Sequence, residues 1–107
     1  MTEFTNETLS IVVAEDGTIV VTGDIDMAGG PLLDAALSQR DDDRAVVIDL
    51  AGVPFIDSSG LRSLLDGARR AHARNTEVVL RAVGPEVSRL LELTGAGSQF
   101  RIEPRRD

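Results

Sequence analysis

With 107 residues, no cysteine and a formal net charge of −7, the chain excludes several classes of protein at once. It is long enough for one domain burying roughly 60 to 70 % of its unfolded surface, and it cannot form disulfides or thiolate metal sites. An acidic chain without tryptophan or tyrosine is poorly matched to nucleic acid, which is held by a basic face that displaces counterions. All 11 basic residues are arginine, which removes phosphate-binding loops and Schiff-base chemistry that need a lysine. No run approaches the ~18 apolar residues of a membrane span, and residues 1–10 are polar and partly acidic, so neither leader nor span is expected. The expected setting is the cytoplasm.

Residues 8–14 alternate weakly around Leu9, Ile11, Val12 and Val13; Glu15-Asp16-Gly17 is a tight-turn signature, and 18–22 is a second β-branched run. Together they predict a hairpin, and Gly23-Asp24-Ile25-Asp26 sets carboxylates beyond its end. A helix follows from Pro31, acceptable at a first helical position, with Leu32, Leu33, Ala36 and Leu37 on one face. Asp41-Asp42-Asp43 belongs to the loop after it, because carboxylates are disfavoured at a helix C-terminus; Arg40 and Arg44 partly offset them. Val46 to Leu50 then reads as a strand buried on both faces, with Phe55 and Ile56 pinning the loop beyond it to the core. Asp57, Ser58 and Ser59 are residue types that start helices, and Leu61, Leu64, Leu65, Ala68 and His72 fall at helical spacing after them. That helix is expected to stop near Asn75. Residues 77–82 predict a strand, Gly84-Pro85 to Gly95 a helix with Val87, Leu90 and Leu91 inward, and 100–102 a short last strand. The expected fold is α/β: one domain over 1–107, a mixed four- to five-stranded sheet with packed α-helices, and flexible ends at 1–7 and 103–107.

Catalysis by a serine nucleophile needs a general base. The only histidine, His72, lies fourteen residues beyond Ser58 on the same predicted helix, about 21 Å away at 1.5 Å per residue. There is no Gly-x-Ser-x-Gly elbow either, so a hydrolase is excluded. Asp24, Asp26 and Asp57 are able to converge on Mg²⁺ as in a phospho-accepting receiver domain, but such domains resemble one another in a late-strand lysine that this chain lacks. What remains is a serine that is acted upon. A hydroxyl at a helix N-terminus is exposed, and unpaired N–H groups there suit a phosphate. On the residues alone, a plain helix cap stays open beside a modification site and is the more ordinary of the two.

Asp49-Leu50, Gly52-Val53 and Phe55-Ile56-Asp57-Ser58-Ser59-Gly60-Leu61 together resemble the signature of STAS domains, specifically bacterial anti-sigma factor antagonists. Val20 to Asp26 resembles the family's second strand with its Gly-Glu-Leu-Asp element, and Val87 to Gly95 the ending of its third helix. The resemblance implies a switch rather than an enzyme, with no cofactor. In such proteins the serine after the aspartate, here Ser58, is phosphorylated by an anti-sigma factor that is itself a serine kinase of ATPase fold. The unphosphorylated antagonist binds that factor and frees the sigma factor, and a metal-dependent serine phosphatase restores it. The expected partner surface is Asp24, Asp26, Asp57, Ser58, Ser59, Gly60 and Arg62, with Gly60 letting the kinase backbone approach. Two departures stand out: Met27-Ala28-Gly29-Gly30-Pro31 is looser than the family's usual helix start, and the chain ends soon after Ile102, where many members add a helix. The second leaves a flank that allows a weak homodimer. The alternative reading is a STAS scaffold subunit of a stress-sensing or lipid-transport complex, without phosphorylation.

Overall fold

The computed structural model describes residues 2–39 and 42–103. A six-stranded sheet is built in chain order from β1 (Thr2–Thr5), β2 (Leu9–Val13), β3 (Ile19–Gly23), β4 (Val46–Gly52), β5 (Val78–Arg81) and β6 (Arg101–Ile102). The first three strands pair antiparallel and the last four parallel. Helices α1 (Gly30–Ser38), α2 (Ser58–Ala73) and α3 (Pro85–Thr94) connect the parallel strands, and a short 3-10 turn, Ala96–Gln99, precedes β6.

Crossovers of the usual right-handed sense that all step the same way across a sheet leave their helices on one face. Burial agrees. Leu33 and Leu37 of α1, Leu61, Leu64 and Ala68 of α2, and Val87 and Leu91 of α3 form one core with Ile11, Ile19, Val21, Ile48, Leu50 and Leu80. Val12, Val20, Val47 and Val79, which alternate with those strand residues, stand outside that core. On this second face Val79 lies between the ion pairs Glu77–Arg101 (3.3 Å) and Arg81–Glu103 (3.0 Å). Glu103 holds the Arg81 guanidinium above its ordinary pKa by hydrogen bond and charge.

The strand count exceeds the four or five expected. The difference lies at the N-terminus, where a loose end was anticipated and β1 pairs with β2 instead. Phe4 is its one apolar residue and rests against the core. The turn is closed by Asn6, whose Oδ1 accepts from the Thr8 and Leu9 N–H groups at 2.9 and 2.8 Å. Residues 104–107, the rest of the other expected loose end, lie outside the described residues, as do Arg40 and Asp41. Elsewhere the boundaries follow expectation closely: Asn75 takes a left-handed φ of 61° just past α2, and Gly95 one of 71° after α3. His72 is the exception. It is exposed, because the inward stripe of α2 runs Leu61, Leu64, Ala68, Ala71 and leaves residue 72 on the outer side. Among the described residues no helix is long and apolar enough to cross a membrane.

Candidate functional site

Two loops leave the sheet at the same end, one after β3 and one after β4, and an isolated parallel bridge between Ile25 and Ile56 fastens them together. The Ile25 N–H donates to the Phe55 carbonyl and the Asp57 N–H to the Ile25 carbonyl, both at 3.1 Å. Both isoleucine side chains are buried. Residues either side of a buried extended position point the other way, so Asp24 and Asp26 come to the surface beside Asp57. Asp24 is exposed and Asp26 half-buried. Phe55 was expected to help pin this loop with Ile56; Ile56 and Val53 are buried in the core, and Phe55 stays about half exposed.

Asp57 is extended (φ −99°, ψ −177°) and caps α2, its Oδ1 accepting from the Gly60 N–H at 2.9 Å. The N–H groups of Ser58 and Ser59 have no partner within the helix. Ser58 occupies the first helical position and is exposed, and Ser59 is half-buried. Asp26 orders the turn before α1 instead: its Oδ1 accepts from the Ala28 and Gly29 N–H groups at 3.0 and 3.1 Å, while the N-cap position of α1 is Gly29, with no side-chain cap. Asp57 therefore starts a helix as well as flanking the serine, and the Met27–Gly30 turn is tied to Asp26 through its carboxylate and its carbonyl.

Gly60 departs from expectation. It is buried and faces inward, where a Cβ would stand 2.5 Å from the Ile25 carbonyl oxygen and 2.8 Å from Ile56 Cγ1. Its missing side chain makes room for the bridge between the loops rather than for a partner. Ser63, which the sequence did not single out, is buried and donates to the Gly30 carbonyl at 3.4 Å, tying α2 to the start of α1. Arg62 is exposed one turn beyond Ser58, on the rim of an open groove of about 490 Å³ with Leu65, Asp66, Arg69 and Gln99. Among the described residues no three His, Cys, Asp or Glu side chains gather closely enough to hold a metal ion, so Asp24, Asp26 and Asp57 are not assembled as a cation cage. What the site offers is an exposed hydroxyl at a helix N-terminus, next to the capping Asp57 and the loop that carries Asp24 and Asp26.

That constellation on a one-sided, partly parallel sheet is the architecture of a STAS domain. The family model described as "Mlab, STAS domain" matches residues 12–102, and the chain belongs to the STAS domain family. Among its relatives, the anti-sigma-B factor antagonist of Listeria monocytogenes is 31% identical over 101 residues, covering 89% of each chain. The crystal structure of an anti-sigma factor antagonist from Mycobacterium paratuberculosis superposes with a TM-score of 0.76 at 31% identity, covering 94% of this chain and 89% of that one. The Bacillus cell fate determinant SpoIIAA shares the fold in its phosphorylated form, with a TM-score of 0.64 at 17% identity over 90% of this chain and 91% of its own.

Proposed function

We propose that this chain is an anti-sigma factor antagonist that binds an anti-sigma factor of the ATPase-fold serine kinase type through the end of the molecule carrying Ser58. Phosphorylation of Ser58 abolishes that binding, and a serine phosphatase restores it. The observation that carries this reading is the placement of Ser58: exposed, at the first position of α2, next to the Asp57 cap and the Asp24–Asp26 loop. A kinase reaches such a hydroxyl without unfolding anything, and the helix N-terminus favours the added phosphate. The names borne by the 31%-identical relatives agree with it. The carboxylates supply the polar part of the contact surface, and Arg62 extends it along α2. Regulation of a sigma factor places the protein in the cytoplasm.

Incubation with the purified ATPase-fold kinase and ATP, followed by peptide mass spectrometry, is expected to put phosphate on Ser58 and not on Ser59. Label on Ser59, or undiminished label in Ser58→Ala, overturns the assignment. A protein that binds no anti-sigma factor in either form would instead be a scaffold.

A further inference from the structure

Four large apolar side chains stand exposed among the described residues, and their distribution is uneven. Ile102 (44% exposed) is on the edge strand β6. Of the other three, Met27 (76%) follows Asp26, while Phe55 (48%), which adjoins the Ile25–Ile56 bridge, and Leu93 (74%), in the last turn of α3, line one groove together. The groove, of about 220 Å³, is lined by Phe55, Ile56, Glu86, Arg89, Leu90 and Leu93, so its walls are the β4–α2 loop and the flank of α3 on which Leu90 meets the core. Phe55 lies outside the core although its neighbour Ile56 is fully committed to it, and Leu93 points away from a helix whose inward face is complete with Val87 and Leu91.

We infer that the Phe55–Leu93 groove is the apolar anchor of the partner interface: it takes an apolar side chain of the anti-sigma factor, while Asp24, Asp26 and Asp57 meet basic groups around that side chain. This rests on the reading of Ser58 given above and extends its surface from the α2 N-terminus to α3. Charge selects the occupant. Glu86 and Arg89 line the groove itself, and Asp24, Asp26 and Asp57 flank the Ile25–Ile56 bridge at the groove's Ile56 wall, with Arg62 one turn along α2 from Ser58. An anionic bilayer would be repelled by that rim, and a second copy of this chain would bring like charges together. A protein surface with an apolar projection among arginines or lysines fits both halves. Well-packed aromatic and aliphatic anchors of this kind carry a large share of interface affinity, while the surrounding polar contacts set orientation.

The test is a binding titration with the anti-sigma factor kinase that modifies Ser58, using the intact unphosphorylated protein. Phe55→Ala and Leu93→Ala are each expected to lower affinity about tenfold, as truncation of an interface anchor does, with thermal midpoints at the wild-type value. Ile102→Ala, equally apolar but on the other flank, is the control and is expected to bind as wild type. Wild-type affinity in both Phe55→Ala and Leu93→Ala overturns the anchor while leaving the switch intact, and so does an equal loss in Ile102→Ala. A wild-type protein that does not bind the kinase defeats the switch and the anchor together. Sedimentation of the free protein, alone and with phosphatidylglycerol vesicles, closes the other routes: self-association or vesicle binding that disappears in Leu93→Ala assigns the groove to that occupant and refutes the proposal.

Discussion

The residues around Ser58 owe their types to two demands at once, and Gly60 is the plainest case. A methyl group at this position would press on the Ile25 carbonyl, which already accepts the Asp57 N–H, so the bridge joining the loops has to shift. Overpacking of that kind costs about 1 to 3 kcal/mol. Gly60→Ala is therefore expected to lower the thermal midpoint by several degrees, measured by calorimetry, before any effect on binding is considered. A midpoint unchanged within a degree refutes the inward role. The motif Asp57-Ser58-Ser59-Gly60 was legible in the sequence, as was the capping of α2 by Asp57. The orientation of Gly60 was also encoded, since residues 60, 64, 67 and 71 lie on one helical stripe, but a glycine adds no apolar signal to that stripe and so reads as exposed. Asp26 was legible as a carboxylate at the site and not as the residue that orders the turn before α1, because its hydrogen bonds go to a segment with no repeating pattern.

Among the elements, β4 carries both faces of the argument in adjacent residues. Ile48 is fully buried under the helices, whereas Val47 is half-buried on the face that carries the valines and ion pairs. Ile48→Ala is expected to cost about 2 to 5 kcal/mol, and Val47→Ala about 1 kcal/mol or less, the range over which strand propensities vary. Urea titration of the two variants measures both, and equal losses refute the one-sided arrangement. The continuous apolar run Val46-Val47-Ile48 read as a strand buried on both faces, and this expectation was half right. Side-chain alternation is visible only when the outward residues are polar, and in this run the outward residue is Val47, with Asp49 the first polar one. For the opposite reason β1 was illegible: its only apolar residue is Phe4, and one residue makes no period. Helices α1 to α3, by contrast, were legible nearly to the residue, because proline, glycine and asparagine mark their ends.

For the molecule as a whole, the switch is expected to act through charge without refolding. A phosphate at a helix N-terminus gains about 0.3 to 1 kcal/mol from the helix dipole, and repulsion from exposed neighbours such as Asp57 opposes it by a similar amount in screened surroundings. Stability hardly moves. A charge desolvated unpaired at an interface costs about 2 to 5 kcal/mol, which at 1.4 kcal/mol per decade is roughly a 30- to 4,000-fold loss of affinity. Ser58→Asp is accordingly expected to keep its melting temperature within a few degrees while losing most affinity for the anti-sigma factor, calorimetry and titration being run on the same sample. Affinity that falls only in proportion to unfolded protein refutes the mechanism.

The order of strands in the sheet is the order of strands in the chain, and this governs how the molecule comes to be folded as well as how it looks. Each strand finds its partner next along the sequence, so no pairing waits for a distant segment to be synthesised or to diffuse back. Every β-α-β step closes a loop of only a few tens of residues, for which the entropy of closure is modest. Topologies of low contact order fold fast, within milliseconds for mixed α/β domains of this size, and a nascent chain can complete the hairpin and the first crossover before α3 exists. The chain has neither tryptophan nor tyrosine to report on this, so refolding from urea is best followed by stopped-flow far-ultraviolet circular dichroism, where a single exponential in the millisecond range is expected.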